Sequence, residues 1–432
     1  MGLKTIRVAM PRQDPCIAAL KRRKYSRRRL LKSGAVGGVG LAGMALVGCG
    51  DDDDDDDDEP SAPSGEATSA APSGDATSDE GGNGELTTWH DLSAASGPSV
   101  SGSAVWVARD AGFLEQEGLE VELDFPGSTP RTMQLLVAGQ AQSAQPDPGT
   151  IINAGSQGFE VQALWTTGAG SFFGFSVLPD SPITEWTTEQ IAGTNVGISE
   201  FAGGEMPITR GALARLGLVE GEDIEFIPIG SGGAETAEAI ESGRVDVFAG
   251  SYPDFTSLQA RGVDLRIITP ADIEAFPRNC LTVLSEDMED PEFRENVVKY
   301  CRALSKAVVF YHHNPRAASY IGAQNAPEQI EGLTLDEVVG VFDGLLGRAA
   351  SIYFDDPESP AYRRIGYKFI EDWDDYQTFL IEGAVVDEEG IRLEEPVDLE
   401  AIVNNDLIDE INDFDFDEVV QFAEAYEYPD EL

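Results

Sequence analysis

The chain has 432 residues, 41% of them apolar, which is enough for two or three domains' worth of core and excludes a protein that is disordered throughout. Residues 1–48 carry 11 Lys or Arg against a single acid, and the remainder holds 18 basic and 77 acidic residues, a net of −59. That balance excludes nucleic acid as a partner, because binding phosphate needs a cationic surface. After residue 48 only Lys299, Lys306 and Lys368 are lysines. An acidic, lysine-poor surface suits a protein that must stay soluble in very high salt, where screening removes self-repulsion and hydrated carboxylates keep the surface wet. The plainer reading, an acidic protein of no special habitat, stays beside it.

The N-terminus reads as an address. Ser26, Arg27, Arg28, Arg29, Leu30, Leu31 and Lys32 fit a twin-arginine export pattern, and the apolar run Ala35 to Val47 is too short and glycine-rich for a stable membrane span. Leu46, Val47, Gly48 and Cys49 fit a lipobox, so residues 1–48 are expected to be a signal peptide and Cys49 the lipidated residue at the outer face of the membrane. An anchor helix followed by an ordinary cysteine is the alternative. Residues 49–85, with eight consecutive aspartates and then Ser, Ala, Pro, Gly and Thr, read as a tether. As a flexible coil, the 36 residues from Gly50 to Glu85 would span roughly 33 Å.

The folded part opens with a strand over Leu86 to Leu92 that ends in Trp89, His90 and Asp91. A lone histidine such as His90 is more often packed or exposed than functional. The loop Ser93 to Gly102, containing Ser101, leads into a helix over Ala104 to Ala111 with Ser103 as its cap. Leu119, Val121 and Leu123 then alternate with Glu120, Glu122 and Asp124 as a half-buried strand. Strand, helix, strand is the start of a parallel sheet, whose ligands sit beyond the carboxyl ends of its strands. On that rule the loop after Ser143 to Gln145 offers Asp147, Gly149 and Thr150, and Arg131 is the one cation placed near a first-lobe loop.

A strand over Val161 to Trp165 precedes Phe172, Phe173 and Phe175, aromatics that could stack on a ligand ring, although core packing suits at least two of them. Asn195 to Ile198 is a strand whose following loop, Ser199 to Glu205, holds Glu200, Phe201, Gly203 and Gly204 before a helix start, where free N–H groups suit a polar ligand atom. Its carboxylates oppose an anion. Ser231 and Gly232 form a second such loop, and a strand over Val245 to Ala249 delivers Ser251, Tyr252 and Asp254. Helices are expected from Asp290–Pro291 to Asn314, behind a Thr334–Glu337 capping box, and from Ser359–Pro360 through Ile365, Phe369 and Trp373. Whether Cys280 and Cys301 form a disulfide is open without a distance.

Three stretches carry a family resemblance. "ARDAGFLEQEGLEVEL", "LLVAGQAQSAQPDPGTIINA" and "AIESGRVDVFAGSYPDF" together resemble the NMT1/THI5-like solute receptors, relatives of the sulfonate, nitrate, taurine and thiamine-precursor binding proteins of ABC importers. The resemblance covers about Leu86 to Thr269. It implies an α/β fold of the type II periplasmic-binding-protein kind: a first lobe over 86–177, a second over 178–268, two crossings between them, and a return to the first lobe with a helical C-terminal extension over 269–432. It further implies that the loop holding Ser101 contacts ligand, that the partners are a small solute and permease subunits, and that a hinge closes on the solute. The family often has an acid before Pro253, where this chain has Tyr252.

The chain has no Gly-x-Ser-x-Gly, Walker loop or Cys-x-x-Cys, so neither an enzyme nor a cofactor is expected. A pyridoxal-type pyrimidine synthase of the same fold would need a lysine near the first strand, and none stands there. A surface sensor would look the same in sequence. Rings at Trp89, Trp165, Phe172, Phe201 and Tyr252 with acceptors at Asp147, Glu200 and Asp254 point to a neutral or cationic heterocycle such as a thiamine-type pyrimidine, ahead of a sulfonate- or nitrate-like anion.

Overall fold

Two five-stranded sheets organise the chain. The computed structural model describes residues 86–95, 97, 98, 103–201, 203–383 and 392–432, all in one unit running from Glu80 to Leu432. The twin-arginine segment, Cys49, the tether and Ser101 lie outside the described residues.

The strands are β1 (Thr87–Ser93), β2 (Leu119–Asp124), β3 (Ser143–Gln145), β4 (Val161–Trp165), β5 (Phe173–Val177), β6 (Asn195–Ile198), β7 (Glu225–Pro228), β8 (Val247–Ser251), β9 (Arg266–Ile267) and β10 (Leu281–Leu284). Their order is β2-β1-β3-β10-β4 in the first sheet and β7-β6-β8-β5-β9 in the second. In each sheet the first three strands are parallel, and the strands that arrive from the other lobe, β10 and β5, run antiparallel to their neighbours. Acidic residues alternate with apolar ones in β2, whereas all of β8 is buried, as a strand covered on both faces must be. The chain passes between the sheets twice, from Trp165 to Phe173 and from Ile267 to Leu281. The lobe boundary expected at Val177 therefore falls inside the second sheet, because β5 pairs with β8 and β9.

The longer helices are α1 (Ser103–Asp110), α2 (Thr129–Val137), α3 (Pro148–Ser156), α4 (Met206–Arg215), α5 (Ala234–Glu241), α6 (Tyr252–Ala260), α7 (Pro291–His313), α8 (Pro315–Asn325), α9 (Leu335–Phe342), α10 (Ile370–Glu382) and α11 (Phe416–Ala425). Asp290 and Asn314 cap α7 and α8, and Thr334 with Glu337 forms a capping box on α9. The helix expected from Ser359 is a correction. That stretch is turns, and helix begins only at Ile370. Arg363 and Gly366 adopt positive φ values of 54° and 96°, and a Cβ on Gly366 would lie 2.3 Å from Cδ1 of the Trp165 indole. The turn is the shape that lets backbone lie against that ring.

The C-terminal helices belong to both lobes rather than only to the first. One apolar cluster joins Leu92 and Ile151 of the first lobe to Phe175, Val196 and Ile198 of the second, with Trp373, Tyr376 and Phe379 of α10 among them. On α10 Phe379 lies 4.3 Å beneath the Arg215 guanidinium of α4, and Arg215 also pairs with Asp272 at 2.6 Å. Elsewhere Thr256 of α6 donates to the carbonyl of Val341 in α9 at 3.1 Å. Cys280 and Cys301 are both buried free thiols.

A largely buried ion triad fastens the first lobe to α7. Glu117, 9% exposed, takes hydrogen bonds from Arg302 Nη1 at 3.0 Å and Lys306 Nζ at 2.7 Å. Removing one partner of such a pair strands the others away from water. Glu117→Ala is expected to lower the free energy of unfolding by about 3 kcal/mol. Urea unfolding in molar salt checks this, and the loss should persist there because buried charges are poorly screened.

Candidate functional site

The carboxyl ends of the parallel strands of both sheets face each other and leave a cavity of about 450 Å³. Ser93, Gln145 and Trp165 bring the ends of β1, β3 and β4 to one side, and Ser199, Ser231 and Ser251 bring the second lobe to the other. The crossings add Thr167, Phe172, Phe173, Arg278 and Asn279.

The rings come from the hinge. Trp165 is fixed by its indole N–H, which donates to Ser305 Oγ at 2.9 Å. Phe172 and Phe173 meet edge to face with centroids 5.1 Å apart, and the buried Arg278 guanidinium stands 5.0 Å over the Phe172 ring. Beside Arg278, Asn279 Nδ2 donates to the carbonyl of Gln145 at 3.3 Å, while its Oδ1 is buried with no partner among the described residues.

Two carboxylates, the buried Glu205 and the half-buried Asp254, form the second-lobe wall. Glu205 accepts from the backbone N–H of Ser199 at 2.8 Å and from the Ser199 hydroxyl. Burial pushes Glu205 up to about 7 from an ordinary 4.5, with neighbouring Asp254 adding to the rise and the Ser199 hydrogen bonds opposing it. Asp254 accepts from Ser251 N at 2.9 Å and Ser251 Oγ at 2.6 Å, completing a capping box on α6, and burial raises its pKa as well. The loop can tuck Glu205 in only because residue 203 is glycine: a Cβ there would lie 2.3 Å from Glu205 Oε2. Gly204 likewise abuts Phe173, at 2.6 Å from a notional Cβ to the ring.

Of the residues expected from sequence, Phe172, Glu200, Gly203, Gly204, Ser231 and Asp254 lie in the cavity wall. Others lie elsewhere, each for a local reason. Trp89 is core, its N–H donating to Ser143 Oγ at 2.9 Å and its ring packed on Phe293 and Tyr300. His90 pairs with Asp124 at 2.8 Å on the outer side of β1. Asp91 is wholly buried, accepting from Ser143, Gln145 and Tyr300 at 2.6, 2.5 and 2.9 Å, and reaches the cavity only through Gln145. Burial raises its pKa. Asp147 caps α3 through Gly149 N, Thr150 N and Thr150 Oγ1, which turns that loop inward toward Tyr376. Gly232 packs on the Asp254 backbone, and Tyr252 donates to Glu274 at 2.9 Å inside the fold. Phe201 is half exposed and outside the wall.

Reading strand ends missed Gln145, Arg278, Asn279, Glu328 and Gln329. The cation of the cavity is Arg278, not Arg131, which is exposed and absent from the wall. The available signal was a polar pair, Arg278 and Asn279, set one residue before the buried strand LTVL.

The comparisons with known proteins agree with this architecture. The family profile described as NMT1/THI5 like matches residues 101–318. The formylaminopyrimidine-binding protein of Halalkalibacterium halodurans is 25% identical over 236 residues, 54% of this chain and 68% of that protein. A solved structure from Bordetella bronchiseptica RB50 superposes with a TM-score of 0.55 at 18% identity, covering 76% of this chain and 98% of the other. The ligand-binding component of an ABC-type import system from Staphylococcus aureus gives 0.50 at 13% identity, covering 76% and 99%. At these identities the solved structures bear on the fold alone, which is that of the periplasmic binding proteins.

The carboxylate wall has a thermodynamic signature. Between pH 4.5 and about 7 the folded chain holds a proton on Glu205 that the unfolded chain has released, so stability falls as pH rises through that window. The loss is on the order of 3 kcal/mol. In urea unfolding at molar salt, Glu205→Gln should be the more stable protein at pH 8 and close to wild type at pH 5. Parallel pH profiles for the two proteins would contradict the burial of this carboxylate.

Proposed function

Because the chain belongs to the NMT1/THI5-like family, we propose that it is the extracellular solute-binding component of an ABC importer, holding a small aromatic heterocycle between its lobes for delivery to a permease. The observation that carries this reading is the bipolar cavity. Donors at Arg278 and Gln145, on the second crossing and the end of β3, share the cavity with carboxylates at Glu205 and Asp254 on the second-lobe side, and Trp165 and Phe172 add rings to its wall. An aminopyrimidine fits such a site. Its exocyclic amino group donates to the acceptors, its ring nitrogens or a carbonyl accept from the donors, and its flat faces lie on the rings. The curated relative is named for formylaminopyrimidine, which is of this class. Arg278 favours a second reading, a sulfonate- or nitrate-like anion, and the two acids of the second-lobe wall oppose it.

The wider placement follows from the sequence motifs. Twin-arginine export, a lipid on Cys49 and an acidic tether over residues 49–85 would hold a folded receptor near its permease at the outer membrane face. The lobes are taken as 86–177 and 178–268, with β5 transferred to the second. A ligand-sensing lipoprotein would use the same cavity.

Titration of the mature chain in molar salt, followed by melting temperature and by Trp165 fluorescence, tests the reading. Formylaminopyrimidine at 100 times its Kd should stabilise the fold by about 2.7 kcal/mol, with sulfonates and nitrate giving no shift. Glu205→Ala should weaken binding roughly tenfold, the worth of one hydrogen bond to a buried acceptor. Stabilisation by sulfonate alone would select the anion reading.

A further inference from the structure

We propose that the segment after the family-matched region, residues 326–333, is part of the ligand site, with Gln329 a ligand-contacting residue and Arg261 the residue that positions it. The family profile ends at residue 318, yet Glu328 and Gln329 line the cavity alongside the strand-end loops. The segment is pinned on both sides of Gln329, since Ala326 and Ile330 are buried in the core at 1% and 9% exposure. Its two flanking helices rest on different lobes. On the first-lobe side Asn325 of α8 donates to Asp110 at 2.7 Å and accepts from Arg109 at 2.5 Å; on the second-lobe side α9 receives the Thr256 hydroxyl. Arg261, at the end of α6, donates to the Gln329 carbonyl at 3.1 Å and the Glu331 carbonyl at 3.4 Å. A guanidinium on two carbonyls of one turn fixes where the intervening side chains point. The segment thus joins a helix held by the first lobe to one held by the second, and Gln329 brings to the cavity wall an amide, a group that can both donate to and accept from a polar heterocycle.

The proposal rests on the receptor reading above. The test measures association and dissociation of formylaminopyrimidine by stopped-flow Trp165 fluorescence in molar salt. Gln329→Ala should raise Kd at least fivefold, chiefly through faster dissociation, with the melting temperature of the unliganded protein within about 2 °C of wild type. Arg261→Ala should reproduce that change, Arg261→Lys should restore part of it, and the double variant should be no weaker than either single one, because Arg261 acts through Gln329. Wild-type kinetics for Gln329→Ala, or additive losses in the double variant, would overturn the assignment. If formylaminopyrimidine fails to bind the wild type, the receptor reading is what has failed, and the positioning role is then judged by hydrogen exchange of the unliganded protein. Amides of residues 326–333 should exchange at least tenfold faster in Arg261→Ala while those of α7 stay unchanged. Equal exchange in the two proteins would overturn the role of Arg261.

Discussion

The cavity depends on one packing constraint. α10 packs across one flank of the two sheets and α9 rests on α6 at another, so the sheets are held side by side while the carboxyl ends of their strands face each other without closing. The apolar cluster that runs from Leu92 and Ile151 through Trp373 and Phe379 to Phe175 and Val196 supplies the attraction. It is non-directional and scales with buried area, so it fixes separation without filling the gap. The gap is therefore lined by whatever the strand ends and crossings carry, and that is where the polar groups stand.

Electrostatics inside and outside this frame obey different rules. The outer surface carries most of a large acidic excess, which salt screens and water solvates. Glu205 is buried and Asp254 half-buried, so solvation supports their charge poorly, and hydrogen bonds from Ser199 and Ser251 do so only in part. A ligand with a donor edge offers these carboxylates what water no longer does. Arg278, on the second crossing with its guanidinium over the Phe172 ring, sets a cation in the same cavity wall.

Much of the fold was legible because local patterning and tertiary packing agree. Alternation located β2, and β3, β4 and β6 fall at their expected bounds, each a short run set off by turn signals. The helix expected from Ser359 failed for a tertiary reason: Ile365, Phe369 and Trp373 have helical spacing, but Gly366 is committed to the Trp165 ring. The site was half legible. A parallel strand points its following loop at the cleft, which is how Glu200, Gly203, Gly204, Ser231 and Asp254 were placed in the wall. Asp91 and Asp147 also follow that rule in sequence, but each is drawn inward by nearby donors, Ser143 and Tyr300 for one and its own helix N-terminus for the other. Arg278, Asn279 and Gln329 reach the cavity from a crossing and a distant segment, and no local pattern encodes that distance.

The central claim is that the cavity between the strand ends holds a flat heterocycle by its two polar edges. A crystal structure of the chain grown with formylaminopyrimidine tests it most directly. The account predicts ring density against Trp165 and Phe172, with the amino group within hydrogen-bond distance of the Glu205 or Asp254 carboxylate. Density for the compound elsewhere on the protein, with the cavity holding only water, would contradict it.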